Sequence, residues 1–360
     1  MSFTRQEVVN KICHKRTNNI KLESNWRFAP INIALIKYWG KRNDELKLPI
    51  SSSLSITSKH LGSRTKIVKK TAKNDTTIGT IQINNSQKDE VIFNGKIANN
   101  AFSNRVLEFF NLFKKALKID DNFIIFTENN IPVASGFASS ASGFASLSKA
   151  INDIFDFHLS NKELSIIARL GSGSACRSVF DNDVRFVKWQ KGKGDDGMDS
   201  YSSPFSFSNA TQTIADNAAI LLLVLSNQSK PVSSTAAMKL TMQLKNGEIT
   251  NQKYLSWLEQ TGRDIQQIAN AQTFADFGEI VEQNSLIMHE AIKAAGINYF
   301  SPRTREVLES IQSNRATLKT YITIDAGANV ALLTQKNDID NLKQSLLSAN
   351  LVDESEILEF

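Results

Sequence analysis

The residues in this chain best suited to chemistry sit in a few short segments rich in small and charged side chains. "NIALIKYWGKR", residues 32 to 42, runs apolar and then sets Lys37, Lys41 and Arg42 around Tyr38, Trp39 and Gly40. Cations at the end of a buried strand either meet an anion or simply solvate the strand end, and this stretch alone leaves both readings open. "PVASGFASSASG", residues 132 to 143, carries Gly136, Ser139, Ser140 and Gly143 where a strand passes into a helix. Small side chains let a phosphate approach backbone N–H groups, and the helix N-terminus adds partial positive charge. Ser139 and Ser140 can add hydroxyls, and Ser140 can stand beside a magnesium ion. No lysine follows the glycine, so this is not the GxxxxGK[ST] nucleotide loop. A helix packed closely through Ala and Ser is the competing reading.

"GSGSACRS", residues 171 to 178, puts Ser172 and Ser174 ahead of a single arginine, Arg177. A guanidinium fork in a serine-rich turn suits a carboxylate or a phosphate, although an ordinary turn with an exposed arginine fits equally well. Cys176 has no histidine near it in sequence and reads as a buried structural thiol. Asp325, in "TIDAGANV", ends an apolar strand just before Gly327. Active-site carboxylates often stand at such a position, yet viewed alone the segment is an ordinary turn. His14, His60, His158 and His289 have no metal-ligand spacing.

These segments need a scaffold, and the pattern around them supplies one. "LSITS", "TKIVKK", "TIGTIQI" and "EVIFNG" read as short strands separated by polar turns. Val106, Phe109, Phe110, Phe113 and Leu117 fall three or four apart, which predicts a helix over residues 100 to 118. "NFIIFTE" is a strand leading to the Ala-Ser segment. Ser160 with Glu163 forms a capping-box pattern for the helix before "GSGSACRS". "VRFVKWQ" and "AAILLLVLS" are strands on either side of a polar crossover at residues 191 to 210. Residues 231 to 317 read as helical, and "YITIDAGANVALLTQ" as two strands around a turn before a helix near residues 338 to 349. Strands interspersed with helices, without strict alternation, predict an α+β fold.

The chain has 360 residues, of which 41% are hydrophobic and 22% charged, enough for two domains with cores. Its net charge of +6 admits nucleic acid, anionic membranes or small polyanions. The lysines are scattered and aromatics do not alternate with arginines, so nucleic acid is not the expected partner. No apolar run approaches the roughly 20 residues of a membrane span. Residues 1 to 28 lack the apolar middle of a secretory signal and read as a basic tail or a strand lead-in. Two cysteines, Cys13 and Cys176, make a disulfide framework unnecessary, and a cytoplasmic location is the expectation.

Taken together, "APINIALIKYWGKR…LPISSSLSIT", "NNIPVASGFASSASG", "RLGSGSACRS", "FVKWQ…DGMDS" and "TIDAGAN" resemble, in content and order, the mevalonate diphosphate decarboxylases. These are members of the galactokinase, homoserine kinase, mevalonate kinase and phosphomevalonate kinase superfamily. The resemblance implies a two-domain fold, with a ribosomal protein S5 domain 2-like N-terminal half, a ferredoxin-like C-terminal half and the active site between them. The expected division is a basic extension over 1–27, an ATP-binding domain over 28–200 and a second domain over 201–360 carrying the catalytic aspartate. It implies ATP-dependent conversion of mevalonate 5-diphosphate to isopentenyl diphosphate, ADP, phosphate and carbon dioxide in isoprenoid biosynthesis, with magnesium or another divalent cation. A homodimer is also implied.

Residue by residue, the resemblance implies that Asp325 orients or deprotonates the 3-hydroxyl and that Lys37 stands by the reacting groups. Arg177 would face the substrate carboxylate. Asn32, Ser172 and Ser174 would contact substrate, and Tyr38 and Lys41 would hold its diphosphate. Gly136, Ser139, Ser140 and Gly143 would form the ATP phosphate loop. Ser51 stands where the family often has Asn, and Phe137 where it usually has Leu. The family's second substrate-binding arginine has no match. The alternatives are a phosphomevalonate decarboxylase or a mevalonate 3-kinase on the same fold, and, from another class, a non-catalytic binding protein.

Overall fold

One long strand organises the first half of the chain. The computed structural model describes residues 3–14, 16, 19–71, 88–131, 139–181, 183–226, 228 and 230–360. After β1 (Arg27–Ile36) and the small hairpin β2 (Lys41–Asn43) and β3 (Leu48–Pro49), "LSITS" and "TKIVKK" form one strand, β4 (Ser53–Lys69), rather than two. β1 runs antiparallel along β4, from Arg27 opposite Thr65 to Ile36 opposite Leu54. The ladder shifts register between Pro30 and Asn32, as expected for a proline that has no N–H to donate. Gly62 lets the strands approach there: a Cβ at that position would lie 2.2 Å from the Ala29 carbonyl oxygen. "TIGTIQI" lies outside the described residues.

Two strands share the other edge of β4. β7 (Phe123–Asn129) pairs with Ser63–Lys69 and β8 (Phe186–Trp189) with Ser53–Ile56. β5 (Glu90–Phe93) runs parallel to β7, with β6 (Lys96–Ile97) outside it. β9 (Ser202–Pro204) pairs back onto β8, so part of the expected crossover remains in this first sheet. Helices α2 (Asn100–Leu117), α3 (Ser139–Ile154) and α4 (Asn161–Gly171) pack their apolar faces into one core with this sheet. Val106, Phe109, Phe110 and Phe113 are buried, and the Phe110 ring meets Phe123 edge-on at 5.2 Å. Fully burying each such ring is worth about 1.5–3 kcal/mol. The Ser160–Glu163 capping box forms at the start of α4.

The N-terminal segment is not a tail. Residues Arg5–Cys13 form helix α1, capped reciprocally by Thr4 and Glu7. Val8, Val9, Ile12 and Cys13 lie on one face of it and join the core beside α2. Four apolar residues in a polar stretch give a weak periodic signal, and tertiary packing decides the outcome.

In the second half, helix α5 (Asn209–Asn217) leads into β10 (Ala218–Leu223). Helices α6 (Ser234–Met242), α7 (Gln252–Ile268), α8 (Phe274–Ala294), α9 (Pro302–Ser313) and α10 (Arg315–Leu318) follow, with a two-residue hairpin, β11 (Leu244–Lys245) and β12 (Glu248–Ile249), after α6. β13 (Tyr321–Thr323), β14 (Val330–Gln335), helix α11 (Ile339–Ser348) and β15 (Ile357–Glu359) complete the chain. The second sheet has the order β13-β14-β10-β15 and is antiparallel throughout. Ile31, Ile33 and Leu35 of β1 share a core with Ile220 and Leu222 of β10 and Phe277 and Val281 of α8. The two halves are therefore joined by continuous apolar packing. No helix of the described residues is long and apolar enough to cross a membrane.

Candidate active site

The chain leaves β1 at Ile36 and crosses at once into the second half. The Lys37 backbone N–H donates to Asn284 Oδ1 of α8 at 2.8 Å, and Asn284 is itself held by Thr261 and Asp264 of α7. The Trp39 indole donates to Thr241 Oγ1 at 3.1 Å, and the Tyr254 hydroxyl donates to the Trp39 carbonyl at 2.6 Å. Gly40 has φ +106°, and a Cβ there would sit 1.9 Å from the Tyr254 hydroxyl, so only glycine fits. "IKYWGK" is thus a seam sewn into both halves.

Lys37, 1% exposed, reaches Asp325 across that seam, with its Nζ 2.7 Å from Oδ1. Asp325 follows β13 and is fixed through Ile324. The Ile324 N–H donates to Ser285 Oγ at 2.9 Å, and its carbonyl meets Ser285 Oγ at 3.2 Å and His289 Nε2 at 3.3 Å. Asn284 and Ser285, neighbours on α8, therefore hold the two partners. Burial raises the Asp325 pKa, but the charge and hydrogen bond of Lys37, helped by Lys230 and Arg177, outweigh it and leave the group below the ordinary aspartate value. Burial lowers the Lys37 pKa, and the Asp325 charge opposes that shift only in part.

Arg177 comes from a short 3-10 turn, Gly173–Arg177, that follows α4 directly. Its Nε donates to Asn32 Oδ1 at 3.0 Å and its Nη1 to Ser53 Oγ at 2.6 Å. Asn32 Nδ2 in turn donates to Ser178 Oγ at 2.7 Å and to the Ser174 carbonyl at 3.2 Å. A buried guanidinium held by neutral partners keeps its whole charge for an anion in the cavity.

A cavity of about 830 Å³ collects these groups. Asn32, Lys37, Tyr38, Lys41, Ser139, Ser140, Ser172, Ser174, Arg177 and Asp325 all line it. The Tyr38 ring forms wall, but its hydroxyl is enclosed without a partner, and a Cβ on Gly173 would lie 2.7 Å from it. Lys41 Nζ is 3.4 Å from Asp44 Oδ1 and 3.4 Å from Thr235 Oγ1. Arg42 turns away and donates to the Gly194 carbonyl at 3.0 Å, which is the solvating role. Gly143 does not reach this cavity; it lines an adjacent, more apolar one of about 280 Å³ that shares Ser139 and Ser140. Gly136 and Phe137 lie outside the described residues.

Helix α3 divides its small residues between two faces. Ser142 and Ser146 are buried and bond Ser63 Oγ and Thr65 Oγ1 of β4, each at 2.8 Å. Ser139 and Ser140 stay exposed at the cavity, with Ser140 Oγ 3.4 Å from Ser172 Oγ. The sequence reading missed Arg5, Lys47, Arg105, Lys230 and Thr235, which also line the cavity. Only "SKPVSST" carried a signal, a lysine just ahead of the Ser233 cap of α6. Seven cations, Arg5, Lys37, Lys41, Lys47, Arg105, Arg177 and Lys230, face two carboxylates, Glu108 and Asp325. Such a lining concentrates small polyanions.

The architecture and this polyanion cavity define a two-domain α+β protein of the galactokinase, homoserine kinase, mevalonate kinase and phosphomevalonate kinase type. Residues 29–202 match the diphosphomevalonate decarboxylase-like N-terminal domain, and residues 220–358 the mevalonate 5-diphosphate decarboxylase C-terminal domain. The chain belongs to the diphosphomevalonate decarboxylase family. It is 33% identical to the diphosphomevalonate decarboxylase of Aspergillus fumigatus, over 86% of this chain and 76% of that one. With the Ganoderma lucidum enzyme the identity is 32%, over 89% and 80%. The crystal structure of mevalonate diphosphate decarboxylase from Staphylococcus aureus superposes with a TM-score of 0.79 at 29% identity, covering 94% of both chains. A further structure, covering 94% of this chain and 96% of its own with a TM-score of 0.79 and 32% identity, holds MVAPP, AMPPCP and magnesium.

Proposed function

We propose that this protein catalyses the ATP-dependent decarboxylation of mevalonate 5-diphosphate to isopentenyl diphosphate, ADP, phosphate and carbon dioxide. The observation that carries the reading is the Lys37–Asp325 pair beside Arg177, which is held by the neutral side chains of Asn32 and Ser53, inside one strongly cationic cavity. Asp325 aligns the tertiary 3-hydroxyl with the γ-phosphorus and takes its proton. A carboxylate held below its ordinary pKa is a weak base, so alignment is its main work, and proton transfer follows bond formation to phosphorus. The 3-phosphate then departs with the C–O electron pair while the bond to the carboxylate carbon breaks to form the alkene and carbon dioxide. Arg177 orients that carboxylate, since tight binding of a charge that disappears would favour the ground state.

Lys37 and Lys230 offset charge on the transferring phosphoryl group, and Lys41 holds the diphosphate. Ser139 and Ser140 serve the ATP phosphates, Ser172 and Ser174 contact the substrate, and the neighbouring apolar cavity is available to the base. Among the described residues no group of three or more His, Cys, Asp or Glu side chains is placed to hold a metal ion. The Ser140 hydroxyl, exposed at the cavity, would stand beside a magnesium ion that arrives with the nucleotide. When bound, magnesium offsets charge on the transferring phosphate. We also take the enzyme to be a cytoplasmic homodimer with the expected domains 28–200 and 201–360, helix α1 and strand β9 being counted to the first because they pack and pair with it. The test supplies ATP with mevalonate 5-diphosphate or 5-phosphate and follows ADP and carbon dioxide separately. Equal yields of both from the diphosphate are expected. ADP without carbon dioxide would mean a 3-kinase, and turnover of the monophosphate alone would overturn the substrate assignment.

A further inference from the structure

We infer that Arg5, on the N-terminal helix α1, is a binding residue for the diphosphate tail of the substrate; this rests on the reading of the cavity given above. The family match begins at residue 29, and α1 lies ahead of it. Arg5 stands at the start of α1 and lines the cavity together with Lys41 and Lys47. Lys47 adopts a left-handed backbone, φ +55°, that side chains other than glycine seldom take. Burial first, then the like charges of Lys41 and Arg5, press the Lys47 ammonium below its ordinary pKa, while Asp44 and Glu45 offset part of this. Three cations therefore crowd one wall, where a ligand carrying several negative charges relieves their repulsion. Lys41 marks that wall as the diphosphate end.

The partner of Arg5 in the structure argues the same way. Its Nε and its backbone N–H both donate to Glu45 Oε1 at 3.2 Å. The side chains are 29% and 49% exposed, and such a pair contributes little to stability. Helix α1 is held by Val8, Val9, Ile12 and Cys13 instead. Glu45 thus occupies a guanidinium that a diphosphate can claim.

The experiment measures KM for mevalonate 5-diphosphate and for ATP, kcat and Tm for wild type, Arg5→Ala, Arg5→Lys and Glu45→Gln. Arg5→Ala raises the KM for the diphosphate substrate about 3- to 10-fold at low salt, and less at high salt. The change falls on KM rather than kcat, and much less on ATP. Arg5→Lys restores part of it, and Glu45→Gln lowers the KM by freeing the guanidinium. If Arg5→Ala and Glu45→Gln instead lower Tm together and leave KM alone, the pair is a helix clamp and the inference is wrong. A change confined to ATP also overturns it. A wild-type enzyme without turnover of the diphosphate sinks the reading of the cavity itself, and this inference with it, before any variant is compared.

Discussion

The ammonium of Lys37 and the carboxylate of Asp325 meet at 2.7 Å across 288 positions of sequence. The contact favours the charged form of both groups against burial, which pushes each toward neutrality. Asp325→Asn keeps an acceptor for Lys37 but removes the negative charge. Turnover falls by at least ~100-fold, the scale of a positioned acid–base group, while ATP still binds. Near-normal turnover in this variant would remove Asp325 from the chemistry. The pair also shapes the pH profile. The acid limb of kcat/KM lies below the ordinary aspartate range, because Asp325 stays ionised there, and the alkaline limb lies below the ordinary lysine range, because Lys37 loses its proton early. A pH–rate profile of wild type measures both limbs.

Lys41 and Lys37 should separate binding from catalysis. Lys41→Met keeps much of the stem and removes the cation. Losing a charge-assisted hydrogen bond costs about 1.5–3 kcal/mol, or roughly 10- to 150-fold in affinity, and the loss falls on the diphosphate substrate rather than on ATP. Lys37→Met lowers turnover more than affinity. Equal effects on substrate and ATP from both variants would leave these lysines as solvation of a strand end.

The two faces of α3 make a matched pair of variants. Ser140→Ala leaves Tm unchanged or slightly higher, since alanine is the better helix former, and slows phosphoryl transfer from ATP. Ser142→Ala removes the bond to Ser63 in the buried interface and costs about 1 kcal/mol of stability, with ATP kinetics near wild type. Unchanged ATP kinetics in Ser140→Ala would mean that the loop acts through its backbone alone.

His289 predicts how stability responds to acid. Burial holds its pKa down at about 4, with the Ile324 carbonyl opposing and the Lys37 charge assisting. The folded protein keeps the ring neutral, so its contribution is complete above the ordinary value of 6.5 and is lost as pH falls toward 4. The shift corresponds to about 3 kcal/mol over that window. Denaturant titrations between these pH values should show the decline, and His289→Gln should flatten it. An equal slope in the variant would assign the acid sensitivity to other groups.

How much of this was legible in the sequence depended on what each segment needs from its surroundings. The phenylalanine spacing of α2 and the Ser160–Glu163 cap are local signals, and they formed where expected. Ser139, Ser140, Arg177 and Asp325 each had a bland reading alone, and only their order along the chain raised them above it. The resemblance made Tyr38 a contact of the diphosphate, yet a side chain's direction is set by packing, here against Gly173 and Trp189, and its hydroxyl is enclosed. Lys47 and Arg105 carry no local mark of function; tertiary folding alone brings them to the cavity. Helix α1 was hidden for a related reason, since its apolar face is short and gains meaning only once α2 is there to meet it.

Helix α8 acts as a jig. Lys37 hangs from Asn284 and the Ile324–Asp325 turn from Ser285, and those anchor points are consecutive residues. The reacting pair therefore inherits its spacing from one peptide link rather than from the fit between two sheets. Any movement of the halves against each other would carry Lys37 and Asp325 together, so their mutual spacing does not depend on the width of the cavity, whereas Arg177 and Ser140, on the other half, would shift relative to them.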